Sequence, residues 1–497
     1  MKKFFLCMLI AAGLSTVAAF AQSDDDLFGG SDDALFGADD DLFGDDGIEE
    51  VSDVSAKSDL SKGVIFENGS VKVGGNVSAS VSTNTVLYKD GDDKNFGEHI
   101  YDSTITPALS ANLIFDARPT ETLRMYTKFG LAYPFVNKGT GAFDVEADGT
   151  VSGKKTFDFT KMKPTQTKST DITITDWFKL KELFTDFSVK DTAFFRFGIH
   201  TVTWGAGYFF SPISDIINSS SIDPEHPEEQ VDGSLNLRTQ IIIPDSQNCI
   251  WLYVVPSTNF KNQTAESYLR DTALAGKVDI LIGGWEFGLG GYYKYQNAPK
   301  AMLTATGSLQ KVSFFGEFVY TYGAASEWLL NKEWDDKSSI FEATAGFSYY
   351  WKDPKLTIAA QYLFEGNDVD AAYKYLMYGH NAAFMISKGS LFKNDNLSLS
   401  LFGMANFGRK ELDLSEAKKN IPMLAIANGL SADDLNSQIS ALENAMKGTS
   451  LTTKLTLSYK PFNEMTITCG PSLVFADFES KPVVSFGLGA TLGGGKF

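Results

Sequence analysis

Charged side chains stand at alternate positions inside runs that are otherwise rich in apolar residues, and they fall into two groups along the chain. The basic group is Arg124, Lys128, Arg196, His200 and Arg238, and the acidic group is Glu317, Glu342 and Glu365. Two groups of opposite sign facing each other across water would produce a transverse field, which orients dipolar solutes and tunes ion selectivity. The plainer alternative is that each charge is an ordinary solvated residue. Either interpretation requires elements that point every second side chain into water.

The runs that carry these charges have the alternation of membrane-spanning β-strands. Each run has about ten residues in which apolar and polar side chains alternate, as a strand with one lipid face and one aqueous face requires. One example alternates Leu451, Thr453, Leu455, Leu457 and Tyr459 with Thr452, Lys454, Thr456 and Ser458. A charge on the lipid face would cost about 2–4 kcal/mol near the midplane. The charges are therefore predicted to point inward.

The connections between the runs predict how the strands are joined. Short turns rich in Asp, Asn, Gly and Pro alternate with long polar segments, as in barrels with short turns at one end and longer loops at the other. We therefore predict an all-β fold, a transmembrane antiparallel up-and-down β-barrel of about 18 strands. The run 172–189 alternates poorly, so 16 strands is the alternative count. A soluble array of β-sandwiches is the alternative fold.

The N-terminal region has the pattern of an exported protein. Lys2 and Lys3 precede an apolar core, and Ala19 and Ala21 form a small-x-small cleavage site, so residues 1–21 are predicted to be a signal peptide. Residues 22–69 contain three copies of Asp-Asp-x-Leu-Phe-Gly and should form a disordered acidic periplasmic leader. Each Leu-Phe pair is a candidate anchor for a periplasmic partner, and a solvated spacer is the alternative. The barrel is assigned to residues 70–497.

The end of the chain carries a signal of its own. Phe497 is the kind of C-terminal aromatic residue that the barrel-insertion machinery reads. It is out of phase with the apolar positions of the last run, and the three glycines Gly493, Gly494 and Gly495 could hold a bulge that restores the phase. The sequence therefore predicts a partnership with that machinery, together with contact with outer-membrane lipid.

Two connections are long enough to carry function. Residues 205–234 include apolar side chains that favour folding into the lumen, so this segment is the candidate constriction loop, and an external lid is the alternative. Its candidate site residues are Trp204, Gly205, Gly207, Pro212, Asp215 and Asn218. The insertion 411–450 is predicted to contain a helix from Ala432 to Met446, with Ser431 as its N-cap.

The stretch from Glu182 to Asn218 contains a run of residues that suggests a family. It reads Glu182-Leu183-Phe184, then Arg196-Phe197-Gly198, Trp204-Gly205-x-Gly207, and Ser211-Pro212-x-x-Asp215-Ile216-Ile217-Asn218. This run resembles one found in porin-like outer-membrane barrels, including spirochaete and alginate-export-like barrels, and the acidic leader looks like those of treponemal outer-membrane proteins. The resemblance implies passive transport of a small or oligomeric solute, with the strand that bears Arg196 facing the channel.

Other classes of function have little support in the sequence. The chain has 4 His, none of them beside a recognisable catalytic partner, and no metal-ligand pattern, so we predict neither an enzyme nor a cofactor. A net charge of -19 disfavours nucleic acid. The sequence therefore predicts an outer-membrane channel for passive diffusion of small polar solutes. A hydrophobic-solute transporter and a surface adhesin are the alternatives, and the oligomeric state, including a homo-oligomer, stays open.

Overall fold

The structure is a computed structural model of the 497-residue chain. It describes residues 57–59, 64–68, 70–92, 94–133, 143–145, 151–153, 155–158, 163–166, 177–190, 192–225, 227, 231–258, 264–323, 327–328, 333–370, 375–407, 410–411, 418–419, 421–423, 431–446, 449–462, 464–475 and 481–496. The predicted signal peptide, the three acidic repeats and Phe497 lie outside these residues.

Eighteen strands form one closed antiparallel barrel, in which each strand pairs with the next along the chain. They are β1 (Val71–Tyr88), β2 (Thr104–Thr120), β3 (Leu123–Ala132), β4 (Phe178–Val189), β5 (Ala193–His200), β6 (Ser234–Ile242), β7 (Cys249–Val255), β8 (Ala273–Ile282), β9 (Trp285–Lys294), β10 (Lys300–Leu309), β11 (Val312–Tyr322), β12 (Ser339–Trp351), β13 (Leu356–Asp370), β14 (Tyr375–Lys388), β15 (Leu397–Phe407), β16 (Ser450–Phe462), β17 (Met465–Phe475) and β18 (Val483–Lys496). Pairing of β18 with β1 closes the barrel. The predicted fold class and the count of 18 strands are confirmed.

Two parts of the barrel need a closer description, the run 172–189 and the three glycines near the end of the chain. The poorly alternating run 172–189 provides one strand, β4, which pairs with β3 and β5. The pairing of β18 with β1 shifts between Gly493 and Gly495, and Gly493 has a φ of 133°. This is the bulge that the three terminal glycines predicted, because an extra residue in one strand displaces the register by one position.

Smaller elements decorate the barrel. Helices in the described part of the chain include α1 (Phe96–Tyr101), α2 (Ala265–Asp271) and α3 (Ala432–Met446), and one-turn 3-10 helices span Ser214–Ile216, Trp334–Asp336 and Leu391–Lys393. Short strands span Lys57–Asp59, Val64–Asn68, Phe143–Val145, Val151–Gly153, Lys155–Asp158, Lys163–Gln166 and Lys410–Glu411. Val64–Asn68, inside the predicted leader, pairs with the first residues of β1. The predicted helix α3 is present, and Ser431 Oγ accepts a hydrogen bond from Asp434 N, 3.0 Å away.

The described part of the chain contains no helix that combines the length and the apolar character needed to cross a membrane.

The alternation of side chains agrees with an apolar outside and a filled inside. On β11, Phe314 and Phe318 are exposed on the outer face, whereas Glu317 and Val319 are buried on the inner face. The turns at one end are tight. Between β8 and β9 both Gly283 and Gly284 have positive φ, of 60° and 82°, as the favoured two-residue hairpin turn requires.

Candidate functional site

The connection between β5 and β6 folds into the barrel. We call residues 201–233 the inner loop; the structure describes 201–225, 227 and 231–233. Phe209 and Ile213 in this loop are fully buried, with 0% exposure. Their neighbours are inward-facing side chains of strands far along the chain, on β7 to β15. The inner loop therefore packs against one side of the lumen, and its role as a constriction stays a prediction.

Glu317 of β11 is the main anchor of the inner loop. Its Oε1 accepts hydrogen bonds from Ala206 N and Gly207 N, both at 2.6 Å, and from Ser211 Oγ at 2.8 Å. Its Oε2 accepts from Ile213 N at 3.0 Å. The side chain is only 4% exposed. A buried carboxylate needs such donors to offset its desolvation, so Glu317 and the loop depend on each other.

Two further inward side chains hold the loop on either side of Glu317. Gln361 Oε1 of β13 accepts from the backbone nitrogens of Tyr208, Phe209 and Phe210, and Gln361 Nε2 donates to Phe210 O at 2.6 Å. Lys277 Nζ of β8 donates to Trp204 O at 3.0 Å. These contacts satisfy backbone groups that would otherwise be buried without partners.

Two glycines of the loop, Gly205 and Gly207, are required by this close approach. A Cβ atom on Gly205 would lie 2.0 Å from Ser211 Oγ and 2.5 Å from Glu317 Oε1. A Cβ atom on Gly207 would lie 1.8 Å from Phe210 O. A side chain at either position would therefore push the backbone away from the carboxylate that binds it.

Apolar packing accompanies the polar anchors. The first cluster joins loop residues to inward side chains of β7, β8, β10 and β11, and the second joins them to β13, β14 and β15. The first contains Val202, Trp204, Ile213, Ile217, Tyr253, Ala275, Met302 and Val319. The second contains Phe209, Phe210, Ala359, Leu363, Ala383, Met385 and Phe402. On this side the inner faces of the strands carry apolar side chains between the polar anchors, and the loop buries both.

The remaining candidate loop residues also act within this packing. Trp204 Nε1 donates to Ile213 O at 2.8 Å. Asn218 joins the two ends of the turn, since its Oδ1 accepts from Val202 N and its Nδ2 donates to Val202 O, both at 2.8 Å. Pro212 is buried between Ser211 and Ile213. Trp204, Pro212 and Asn218 therefore shape the loop.

The structure places the basic candidates beside acidic residues. Asp186 of β4 lies between Arg124 of β3 and Arg196 of β5, directly opposite each in the strand register. Asp186 Oδ1 is 2.6 Å from Arg196 Nε, and Asp116 Oδ2 is 3.0 Å from Arg124 Nη2. Lys128 lies opposite Glu182. Positive charge therefore alternates with negative charge across these strands.

The last two basic candidates are deeply buried. His200 has 0% exposure and meets the ring of Phe184 edge-on, with 5.9 Å between ring centres. Arg238 is 4% exposed, lies opposite Arg196, and its guanidinium is 5.4 Å from the ring centre of Trp251. Both side chains lie within the packed side of the barrel.

The acidic candidates differ among themselves. Glu342 and Glu365 are half-buried and face each other across β12 and β13, and Glu365 Oε2 accepts from Asn381 Nδ2 at 3.2 Å. In the inner loop, the pKa of Asp215 is raised to about 7, chiefly by burial and also by the charges of Glu317 and Glu342. A hydrogen bond with Ser221 and the charge of Lys300 oppose this rise. Asp215 is therefore the loop group poised to titrate near neutral pH.

The other side of the barrel has a different inner surface. We call a set of inward residues from the middle of β1, β16, β17 and β18 the hydroxyl face, because they are mainly Ser, Thr, Asn and Gly; Lys72, Val86 and Val474 continue the inner face towards the strand ends. The hydroxyl face consists of Asn76, Ser78, Ser80, Ser82, Asn84, Thr452, Lys454, Thr456, Ser458, Thr466, Thr468, Gly470, Ser472, Ser485, Gly487, Gly489 and Thr491. A cavity opens against the middle of this face. Lys454 Nζ contacts Glu225 Oε1 of the inner loop at 2.6 Å, which ties the loop to the hydroxyl face.

Sequence reasoning assigned the charged positions to the inner face but missed their partners. Asp116, Asp186, Lys277 and Gln361 were not singled out. The partnership of Asp186 with Arg196 was readable, because the two residues are equally far from the turn that joins β4 and β5. The loop contacts of Gln361 and Glu317 span more than 100 residues and left no local signal. A role of the charged walls in ion selectivity stays a prediction.

Comparisons with known proteins give only remote likenesses. No protein-family model and no curated protein matches the chain. Similar solved structures include the outer-membrane channel DcaP of Acinetobacter baumannii, with 10% identity, a TM-score of 0.39 and coverage of 86% of this chain and 98% of that one. Pseudomonas aeruginosa OccK11 (OpdR) has 7% identity, a TM-score of 0.43 and coverage of 85% and 95%. Pseudomonas putida OprB has 10% identity, a TM-score of 0.41 and coverage of 85% and 94%. Likenesses this remote do not assign a solute or a role to any residue.

Proposed function

We propose that this protein is an outer-membrane channel for the passive diffusion of small polar solutes. The observation that carries the proposal is the closed 18-strand barrel with an apolar outer face and, on one side, a hydroxyl-rich inner face with a cavity against it. A closed barrel satisfies its backbone within lipid, and a polar inner face admits water. The inner loop narrows the lumen from the opposite side.

Single-channel recording tests this proposal directly. The refolded mature chain is inserted into a planar bilayer under a salt gradient, after heat-modifiable migration in gels has shown that it is folded. Stable, ohmic conductance steps are the expected result. A folded and inserted barrel that stays silent would overturn the proposal.

Export and insertion belong to the same proposal. Residues 1–21 would direct export, residues 22–69 would lie in the periplasm, and Phe497 would be read by the insertion machinery. Deleting Phe497 should lower the amount of folded barrel in the outer membrane while leaving the exported precursor intact, as measured by fractionation. Deleting residues 24–44 should remove a crosslinked periplasmic partner if the Leu-Phe repeats bind one, and should leave conductance unchanged.

A relationship to spirochaete and alginate-export-like barrels stays part of the proposal. It is supported by the run from Glu182 to Asn218, which forms β4, β5 and the anchored part of the inner loop. Gly205 and Gly207 in that run are the positions that the contact with Glu317 requires. The run therefore builds the narrow part of the lumen.

A further inference from the structure

The cavity against the hydroxyl face is lined by small polar side chains. Ser80, Ser82, Thr456, Thr468, Ser472 and Thr491 contribute hydroxyl groups to it. None of the described inner-loop residues lines it. The loop reaches the lining of the cavity through the contact of Glu225 with Lys454, and the rest of the lining comes from the barrel wall.

Fixed charge on this side is scarce and compensated. Lys454 is the one charged residue among the described residues that line the cavity, and its Nζ lies 2.6 Å from Glu225 Oε1. An ion here would meet no uncompensated opposite charge. The hydroxyl groups, in contrast, both donate and accept hydrogen bonds and so can replace the water around a solute that carries hydroxyls itself.

We infer that the conducting path runs along the hydroxyl face and that its solutes are small, uncharged molecules with several hydroxyl groups. This inference rests on the proposed channel function and names its solute class and route. Opposite, the charges of Lys277 and Glu317 are engaged with the inner loop. The mainly neutral face is thus the one whose hydroxyl groups are not used to hold the inner loop.

Glycines on this face leave space for the path, and substituting one of them tests whether solutes follow this route. A Cβ atom on Gly487 would lie 3.9 Å from its nearest neighbours, Gly470 O and Thr83 O, which is ordinary contact distance. A larger side chain at Gly487 can therefore be accommodated by the strand and would project into the cavity. Leu492 of the same strand is exposed to lipid, belongs to the alternate set of positions and does not line the cavity.

The experiment is liposome swelling with three solutes of similar size and different charge. Glucose is neutral, gluconate is an anion and glucosamine is a cation, and all three carry several hydroxyl groups. We expect glucose to enter several-fold faster than either charged analogue. Gly487→Trp should slow glucose several-fold, and the control Leu492→Trp, on the lipid face, should not, with folding of both checked by heat-modifiable migration.

Each outcome decides a separate part of the inference. Equal or faster entry of gluconate or glucosamine overturns the solute class and leaves the channel function standing. Unchanged glucose entry in folded Gly487→Trp overturns the route. If that variant does not fold, Ser82→Leu, opposite Gly489 on the neighbouring strand, tests the same place. Absence of swelling with every solute, from liposomes that contain folded protein, overturns the channel function itself.

Discussion

The two sides of the lumen use polar residues in opposite ways. From β3 to β15 the inward charged groups are largely buried and bonded to one another or to the inner loop, as Arg196 is to Asp186 and Glu317 is to Ile213. On the hydroxyl face the inward groups are small and neutral apart from Lys454, and a cavity remains in front of them. Charge inside a barrel is therefore a poor guide to where solute passes, because buried charge needs partners that also fix the structure.

Apolar inner positions also differ between the two sides of the lumen. Met302 and Val319 are 2% and 0% exposed because the loop residue Ile213 packs with them. Burial of such side chains contributes about 1.5–3 kcal/mol each. The inner loop is thus held by a small hydrophobic core of its own, whereas the hydroxyl face has none among the described residues.

The largest effect that follows from this contrast is on stability. Arg196→Glu should place two carboxylates side by side at Asp186 and destabilise the barrel by about 3–5 kcal/mol, the range for breaking a buried pair. Heat-modifiable migration should show a lower unfolding temperature. Lys355→Glu, in an exposed turn pair with Asp395, is the control and should change stability by less than about 1 kcal/mol. A folded Arg196→Glu barrel of normal stability and reversed ion selectivity would instead support the charged wall.

The next effect concerns the attachment of the inner loop. Glu317→Gln removes the charge that receives four hydrogen bonds, each worth about 1.5–3 kcal/mol when the acceptor is ionised. We expect faster amide hydrogen exchange at Gly207 and Ile213 and noisier single-channel currents. Glu365→Gln is the control, because its carboxylate accepts a hydrogen bond from Asn381 of the barrel wall and from none of the described residues of the inner loop. Unchanged exchange in Glu317→Gln would show that apolar packing alone holds the loop.

The third effect depends on pH. The pKa of Asp215 is about 7 in the docked loop and near 3.8 in an exposed one, so the docked form binds more protons between these values. Docking should be strongest below about pH 4, weaken as the pH rises to about 7 and then stay constant. Hydrogen exchange of the loop should follow this trend. In Asp215→Asn the trend should disappear, and Asp223→Asn, at an exposed position of the same loop, should keep it.

The sequence was sufficient for the barrel and insufficient for its interior. The alternation of apolar and polar residues predicts the strands, because each strand has one face towards lipid and one towards the lumen. The same alternation places Arg124 and Glu317 on the inner face. It could not distinguish a charge that faces solute from one that receives a loop, because the contact between Glu317 and Ala206 joins residues 111 positions apart. The available signal was the loss of alternation at Met302 and Val319, where apolar inner positions indicated that something apolar covers them.

The smallest expected effect is on ion selectivity at the hydroxyl face. Glu225→Gln removes the carboxylate beside Lys454, and Lys454→Met removes the cation and leaves Glu225. The interaction energy between a unit charge and an ion about 4 Å away is about 1 kcal/mol in water. The first variant should therefore shift the reversal potential towards anions and the second towards cations, each by no more than several-fold in permeability ratio. The double variant should return to the parent value, because the two charges compensate each other. If all three variants kept the parent reversal potential, ions would not travel past Glu225 and Lys454. That result would contradict an ion route along the hydroxyl face.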